Sequence, residues 1–170
     1  MERTICLIPI FFALHNAEEA LAFRGRGVRQ FVRVPKVFTR LIGIVTERQM
    51  LVALYVITAI PFALIAILAW HPGARVALWL LLLTQAVIFL NVFIHIAGAR
   101  IARGYVPGVV TALAVNLPFS IYLAWYAVRA GWLGPSGIVM CVLVAAVLHG
   151  PGLLGLLRLV GYAVNPQGGA

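Results

Sequence analysis

Five long apolar stretches, separated by short breaks of polar, glycine and proline residues, account for most of the chain. None shows the alternation of a half-buried strand, and each is long enough for a helix apolar on every side, the pattern of a membrane span. The expected spans are about 4–23, 50–70, 76–99, 109–129 and 136–149. His71-Pro72-Gly73 stops the second span, and Gly104-Tyr105-Val106-Pro107-Gly108 separates the third from the fourth. Pro118 predicts a kink in the fourth span, because proline removes one ladder hydrogen bond. Gly134-Pro135 opens the fifth, and Gly150-Pro151-Gly152 interrupts it after His149. Beyond that break, 153–162 is apolar but short, and either continues the span or lies along the interface.

The first stretch departs from this pattern. Thr4 to Leu14 is nearly all apolar, then His15-Asn16-Ala17-Glu18-Glu19 follows, then Ala20 to Phe23 is apolar again. A carboxylate inside the bilayer costs several kcal/mol, and here two are adjacent. The chain has four acidic residues (Glu2, Glu18, Glu19 and Glu47), so half its negative charge sits in this one place. Positions 15, 18 and 19 share a helix face. Arg3 before an apolar run imitates a signal peptide, but ionisable residues stand where small cleavage-site residues belong, so the segment is read as a retained span.

Composition agrees: 64% of residues are hydrophobic, only 10% are charged, and mean hydropathy is +1.06. The expected architecture is one all-α integral membrane domain over 1–170, a bundle of about five transmembrane helices with a basic interfacial segment after the first. With five spans, Arg24, Arg26, Arg29, Arg33, Lys36, Arg40, Arg48, Arg100, Arg103 and Arg158 fall on one side, and Arg3, Arg75 and Arg129 on the other. That bias places the first group in the cytoplasm, with the amino terminus outside and the carboxy terminus inside a cell membrane. Basic loops on an anionic leaflet account for the net charge of +9 without nucleic acid. Val34 to Val45 interleaves apolar residues with Lys36 and Arg40 and is expected to lie on that surface.

This topology sets the depth of the remaining polar residues. At 1.5 Å per residue, His15 lies about 16 Å from the outer end of its span and Glu18 and Glu19 about 21–23 Å; Asn91, His95 and His149 lie about 22, 28 and 20 Å down theirs. Asn116 is about 10 Å from the cytoplasmic end of the fourth span. Residues of several helices thus reach the inner half of the bilayer together. Each has a plainer reading: Asn91 and Asn116 as interhelical hydrogen-bond partners, with Ser120 one turn from Asn116; His95 as interfacial; His149 as a helix cap. Arg24 at the membrane edge could neutralise one of the two glutamates. His71 belongs to an outer turn. Cys6 and Cys141 are both near the outer leaflet, and read better as small buried hydrophobes than as a disulfide.

His-x-x-Glu-Glu at 15–19, with Asn-x-x-x-His at 91–95 and His149 later in a five-span bundle, resembles the HXXEE-domain family of small membrane proteins. The resemblance covers most of the chain and implies an architecture and a site, but no reaction. His15, Glu18 and Glu19 match the naming motif, with Asn91, His95 and His149 as later counterparts.

The chemistry follows from the residue types. His15, Glu18, Glu19, His95 and His149 could supply three nitrogens and one or two carboxylate oxygens to Zn²⁺ or Fe²⁺. One glutamate would act as ligand and the other as general base, with Asn91 assisting, in hydrolysis of a lipid-like or membrane-dissolved substrate. The arrangement loosely resembles intramembrane CAAX-type proteases, but Arg24 falls one position beyond their Glu-Glu-x-x-x-Arg spacing and Asn91 replaces the phenylalanine before His95. Di-iron oxidases need about twice as many histidines. A metal-free acid–base cyclase or isomerase of a prenyl or lipid substrate is the main alternative, with a glutamic acid as proton donor. An ion- or proton-coupled carrier, which a homo-oligomer could give its missing symmetry, is another. Haem held by His95 and His149 is a fourth.

The orientation has a direct test. Single cysteines placed in the 24–48 loop and at 71–73, in a background of Cys6→Ser and Cys141→Ala, should label from opposite sides. Labelling of the first loop from outside intact cells would reverse every depth given above.

Overall fold

The structure, a computed structural model, describes residues 3–24 and 46–164. The basic segment Val34 to Val45 lies outside the described residues. A 3₁₀ turn, Arg3–Cys6, leads into α1 (Leu7–Phe23). The other helices are α2 (Glu47–Trp70), α3 (Arg75–Ala102), α4 (Val109–Arg129), α5 (Pro135–Val147) and α6 (Leu153–Val164). The described residues contain no strand, and the fold is an all-α bundle. Five helical segments, of 21, 24, 28, 21 and 26 residues, are long and apolar enough to cross a membrane. Twenty-one residues at 1.5 Å each reach about 31 Å, the thickness of the hydrocarbon layer. Apolar helices suit that solvent because every backbone donor finds its acceptor within the segment.

The helix ends follow local chemistry. The helix α2 starts at Glu47, three residues before the apolar run, because Thr46 and Gln49 form a reciprocal capping box: Gln49 N–H donates to Thr46 Oγ1 at 3.2 Å and Thr46 N–H to Gln49 Oε1 at 2.9 Å. Arg103 closes α3 in the left-handed conformation (φ 53°), and Gly108 opens α4 with φ 84°.

Two prolines are absorbed rather than obeyed. In α4 the N–H of Leu117 reaches back five residues to the carbonyl of Ala112, giving a π-helical turn over Ala112–Asn116 just before Pro118. A second π-helical turn, Leu148–Gly152, carries Pro151 and joins α5 to α6, so the chain stays helical through Gly150-Pro151-Gly152 instead of breaking there. Leu153 N–H donates to the carbonyls of Gly150 and Leu148. Where no water competes, a wide turn is the available way to keep the backbone groups around a proline paired. Of the two readings of the segment after His149, continuation of the helix is the one the structure shows.

Helix α3 is the axis of the bundle, packing against α1, α2, α4 and α5. Its first half enters an apolar core with Ile5, Ile8, Leu64, Leu68, Phe119 and Leu123, in which Ile8 and Leu81 have no exposed surface. Phe11 meets Phe119 edge to face, with centroids 4.8 Å apart. A smaller cluster of Ala53, Leu157 and Val160 fastens α6 to the start of α2. Both cysteines are free: Cys141 is buried in the main core and Cys6 is half-buried. The apolar core thus fills the end of the bundle where α1 begins and α4 finishes, leaving the other end to the polar residues.

Leu81 and Leu80 separate packing from lipid contact, since Leu80 is 45% exposed and Leu81 fully enclosed. Leu81→Ala should destabilise the detergent-purified protein by about 2–3 kcal/mol. Leu80→Ala should leave the unfolding midpoint close to that of the parent.

Candidate metal centre and active site

The polar end is assembled from the last two turns of α1, the second half of α3 and the start of α4. On α1, His15 and Glu19 are one turn apart on the same face, and His95 on α3 faces them. His95 Nε2 lies 3.1 Å from Glu19 Oε1, and His15 Nε2 lies 3.7 Å from the same oxygen. The two imidazoles meet edge to face, with centroids 4.9 Å apart and planes at 82°. His15 and His95 are buried, and the Glu19 side chain is 15% exposed.

Asn91, one turn before His95, spans the two rings. Its Nδ2 donates to His15 Nε2 at 2.9 Å and to His95 Nε2 at 3.0 Å. A primary amide has two hydrogens, so both bonds can form at once, each taking up the single Nε2 lone pair that its imidazole would otherwise offer to a metal ion.

Glu18 points elsewhere, about 100° around α1 from Glu19. Its carboxylate accepts four hydrogen bonds from the α3–α4 connection and the first turn of α4: Tyr105 OH at 3.0 Å, Val110 N–H at 3.3 Å, Thr111 N–H at 2.8 Å and Thr111 Oγ1 at 2.6 Å. Amide hydrogens at the start of a helix are free to bind an anion, and the helix dipole favours negative charge there. Burial and the neighbouring Glu18 carboxylate push the Tyr105 phenol up to about 12, so it remains a donor throughout the physiological range. Thr111 links the two parts. Its hydrogen goes to Glu18, so its oxygen accepts from His15 Nδ1–H at 2.9 Å. That bond fixes the tautomer that leaves Nε2 bare, as a carboxylate behind a metal-binding histidine does.

Gly108 closes the site. A Cβ at this position would lie 2.6 Å from His95 Cε1, 2.9 Å from His15 Cε1 and 3.0 Å from Glu19 Cγ, and its φ of 84° is unfavourable for any side chain. Only a glycine lets the backbone pass across both imidazoles.

His15, Glu19 and His95 are the group whose ligand atoms converge, all within 4.8 Å of one another, and this group could hold a metal ion. The pairs at 3.1 and 3.7 Å are close to what two ligands about 2.0–2.1 Å from one Zn²⁺ require. Two expected ligands stand outside it. Glu18 is held by its four donors and so is not free as a general base. His149 lies in the second π-helical turn, within electrostatic range of Glu19 and His95 but not in the converging set. Asn116 is fully buried, and neither amide atom has a hydrogen-bond partner among the described residues; Ser120, its expected companion, instead accepts from Gln85 Nε2 at 2.8 Å. Asn16, inside the motif, donates to Thr58 Oγ1 at 2.6 Å and ties α1 to α2.

The sequence reading did not identify Tyr105, Gly108 or Thr111. The available signal was thin: two glycines bracketing a tyrosine, and one threonine in the first turn of an apolar helix.

The chain matches, over residues 6–123, the model of a family described as proteins of unknown function with an HXXEE motif. It belongs to the HXXEE family. No curated protein and no solved structure matches it. In this HXXEE protein the matched region contains His15, Glu18, Glu19, Asn91, His95, Gly108 and Thr111, and leaves His149 outside. The motif's first and last residues, His15 and Glu19, face the converging space, while Glu18 secures the helix that closes it.

Gly108→Ala should lower the thermal midpoint of the HXXEE protein by the equivalent of about 2 kcal/mol or more, from left-handed strain and the collision with both rings. Gly104→Ala, whose Cβ would have nothing nearer than a carbonyl at 4.0 Å, should be tolerated. Equal effects of the two would remove the steric argument for Gly108.

Proposed function

We propose that this protein is a membrane-embedded enzyme acting on a lipid-like or membrane-dissolved substrate at a mononuclear His15–Glu19–His95 centre for Zn²⁺ or Fe²⁺, with hydrolysis as the favoured reaction. The observation that carries this reading is the convergence of two imidazole lone pairs and one carboxylate, with Glu18 and Thr111 orienting His15 from behind. A cation that took the two Nε2 lone pairs now accepting from Asn91 would also neutralise the Glu19 carboxylate inside the bilayer. Three protein ligands also leave coordination positions open, as catalytic rather than structural sites do. An ion held there would act as a Lewis acid on a carbonyl or a water.

The chain's own residues supply the rest. Once an ion takes the two imidazole lone pairs, the Asn91 amide hydrogens would be released from them and could donate to a developing negative charge. Gly108 exposes backbone at the edge of the site, Tyr105 and Thr111 keep Glu18 in place, and the surrounding apolar helices exclude water. By the arginine asymmetry, the site lies in the cytoplasmic half of a cell membrane, with the amino terminus outside. The substrate arrives from the bilayer.

A metal-free acid–base reading also rests on a specific contact. With the Asn91 bond to His95 Nε2 released, Glu19 and His95 at 3.1 Å could share one proton, and that pair could serve a cyclisation or isomerisation of a prenyl or lipid substrate.

Metal titration separates the two. The purified protein should bind one equivalent of Zn²⁺ against a competing chelator, and His15→Ala, His95→Ala and Glu19→Gln should each abolish that binding. Glu18→Gln and Thr111→Val, which only loosen a ligand's support, should weaken it roughly 10–100-fold. His71→Ala should have no effect. Incubation with a total membrane lipid extract of the expressing cells, followed by mass spectrometry, should reveal a species consumed by the parent and untouched by Glu19→Gln. Consumption that persists after exhaustive chelation would select the acid–base reading; no consumption under either condition would sink the enzymatic proposal.

A further inference from the structure

The hydrogen bonds of the His/Glu cluster form one directed chain. It starts at the Glu18 carboxylate, which accepts from Thr111 Oγ1–H at 2.6 Å, and the Thr111 oxygen in turn accepts from His15 Nδ1–H at 2.9 Å. With its hydrogen on Nδ1, a neutral His15 keeps its one in-plane lone pair on Nε2. The Asn91 atom that meets this nitrogen at 2.9 Å must therefore be the donor end of the amide. The same amide nitrogen reaches His95 Nε2 at 3.0 Å. The direction in which Asn91 faces is thus set from Glu18 outward.

A nitrogen with one lone pair cannot hold a hydrogen and an ion at once. An ion about 2.0–2.1 Å from both Nε2 atoms would need the two directions that the amide hydrogens now occupy. Asn91 and the ion therefore compete for one place. The amide serves only part of the cluster, because both of its hydrogens go to the imidazoles. Glu19 Oε1, 3.1 Å from His95 Nε2 and 3.7 Å from His15 Nε2, gains no hydrogen from it. An ion would serve all three groups. Asn91 is only partly buried, so its side chain has staggered alternatives to turn to.

We infer that Asn91 is a built-in stand-in for the cation: its amide pairs the two buried imidazoles until an ion arrives, and the ion must displace it. This rests on the His15–Glu19–His95 metal reading and adds the residue that sets how tightly that centre binds. Surrendering two amide–imidazole bonds should weaken binding about 5–150-fold relative to a centre without them. A residue that merely supported the ligands would act in the opposite sense, since its loss loosens them and lowers affinity.

The test titrates the full-length, detergent-purified protein and its Asn91→Ala and Asn91→Leu variants with Zn²⁺ against a competing chelator, and melts each with and without the ion. Both variants should bind Zn²⁺ about 5–150-fold more tightly than the parent. After chelator treatment they should melt below the parent, because two buried imidazole nitrogens lose their donor, and Zn²⁺ should close that gap. Adding His95→Ala to Asn91→Ala should remove the gain in affinity, which assigns it to this centre. Should both variants fail to fold, the parent decides: in protein made with isotope-labelled asparagine, the Asn91 side-chain amide signal should move to that of a solvated amide as Zn²⁺ saturates the site. A parent that binds Zn²⁺, with variants that bind it no more tightly or an Asn91 signal that does not move, would overturn the inference and leave the metal reading standing. No binding by the parent or by either variant would overturn the metal reading itself, and the inference with it.

Discussion

The carboxylate of Glu18, clasped by the first turn of α4, holds the polar end of this bundle together. An uncompensated charge at that depth would be expelled or neutralised. Here it is met by two backbone amides, two hydroxyls and the positive end of a helix dipole, none of which brings a full charge of its own. The bond therefore fixes where α4 begins, and with it the backbone of Gly108 against the imidazoles. Thr111 belongs to both systems, so the placing of a helix and the tautomer of His15 are set by one hydroxyl.

The two ends of the bundle have different duties. At one, Ile8, Leu81, Leu123 and their neighbours pack without polar atoms, giving the helices a rigid crossing. At the other, small and polar residues allow α1, α3 and α4 to approach closely enough for side chains on three helices to share one space. Asn16 bonded to Thr58 anchors α1 to α2 at the same level. A polar cluster between apolar helices needs both: a scaffold that does not yield, and a shell in which donors are aimed at acceptors.

What the sequence disclosed follows the range over which helical geometry acts. The five apolar helices were legible because length and hydropathy decide them. The face shared by His15 and Glu19, and that shared by Asn91 and His95, follow from a spacing of four residues. Contacts between helices obey no such rule. Nothing local tells Glu18 that its donors stand at 105, 110 and 111, some 90 residues away, and no count of depth distinguishes it from Glu19. The angle between adjacent residues does separate them, but only the packed partner decides which of the two faces the histidines. Depth alone brought His149 as near as it brought His95, whereas lateral position leaves it outside the converging set. Gly150-Pro151-Gly152 read as a break because the rule for proline was learned in water, where a broken ladder is readily solvated.

The π-helical turn over Ala112–Asn116 allows one helix to make polar contacts on two different faces. Thr111 and Ser120 are nine residues apart, which in an unbroken α-helix would set them about 180° apart, on opposite faces. A π turn accommodates one additional residue, so the phase between them falls to about 80°. The same helix then turns Thr111 toward α1 and Ser120 toward Gln85 on α3. The extra residue works as a rotary coupling, giving each half of α4 its own angular setting.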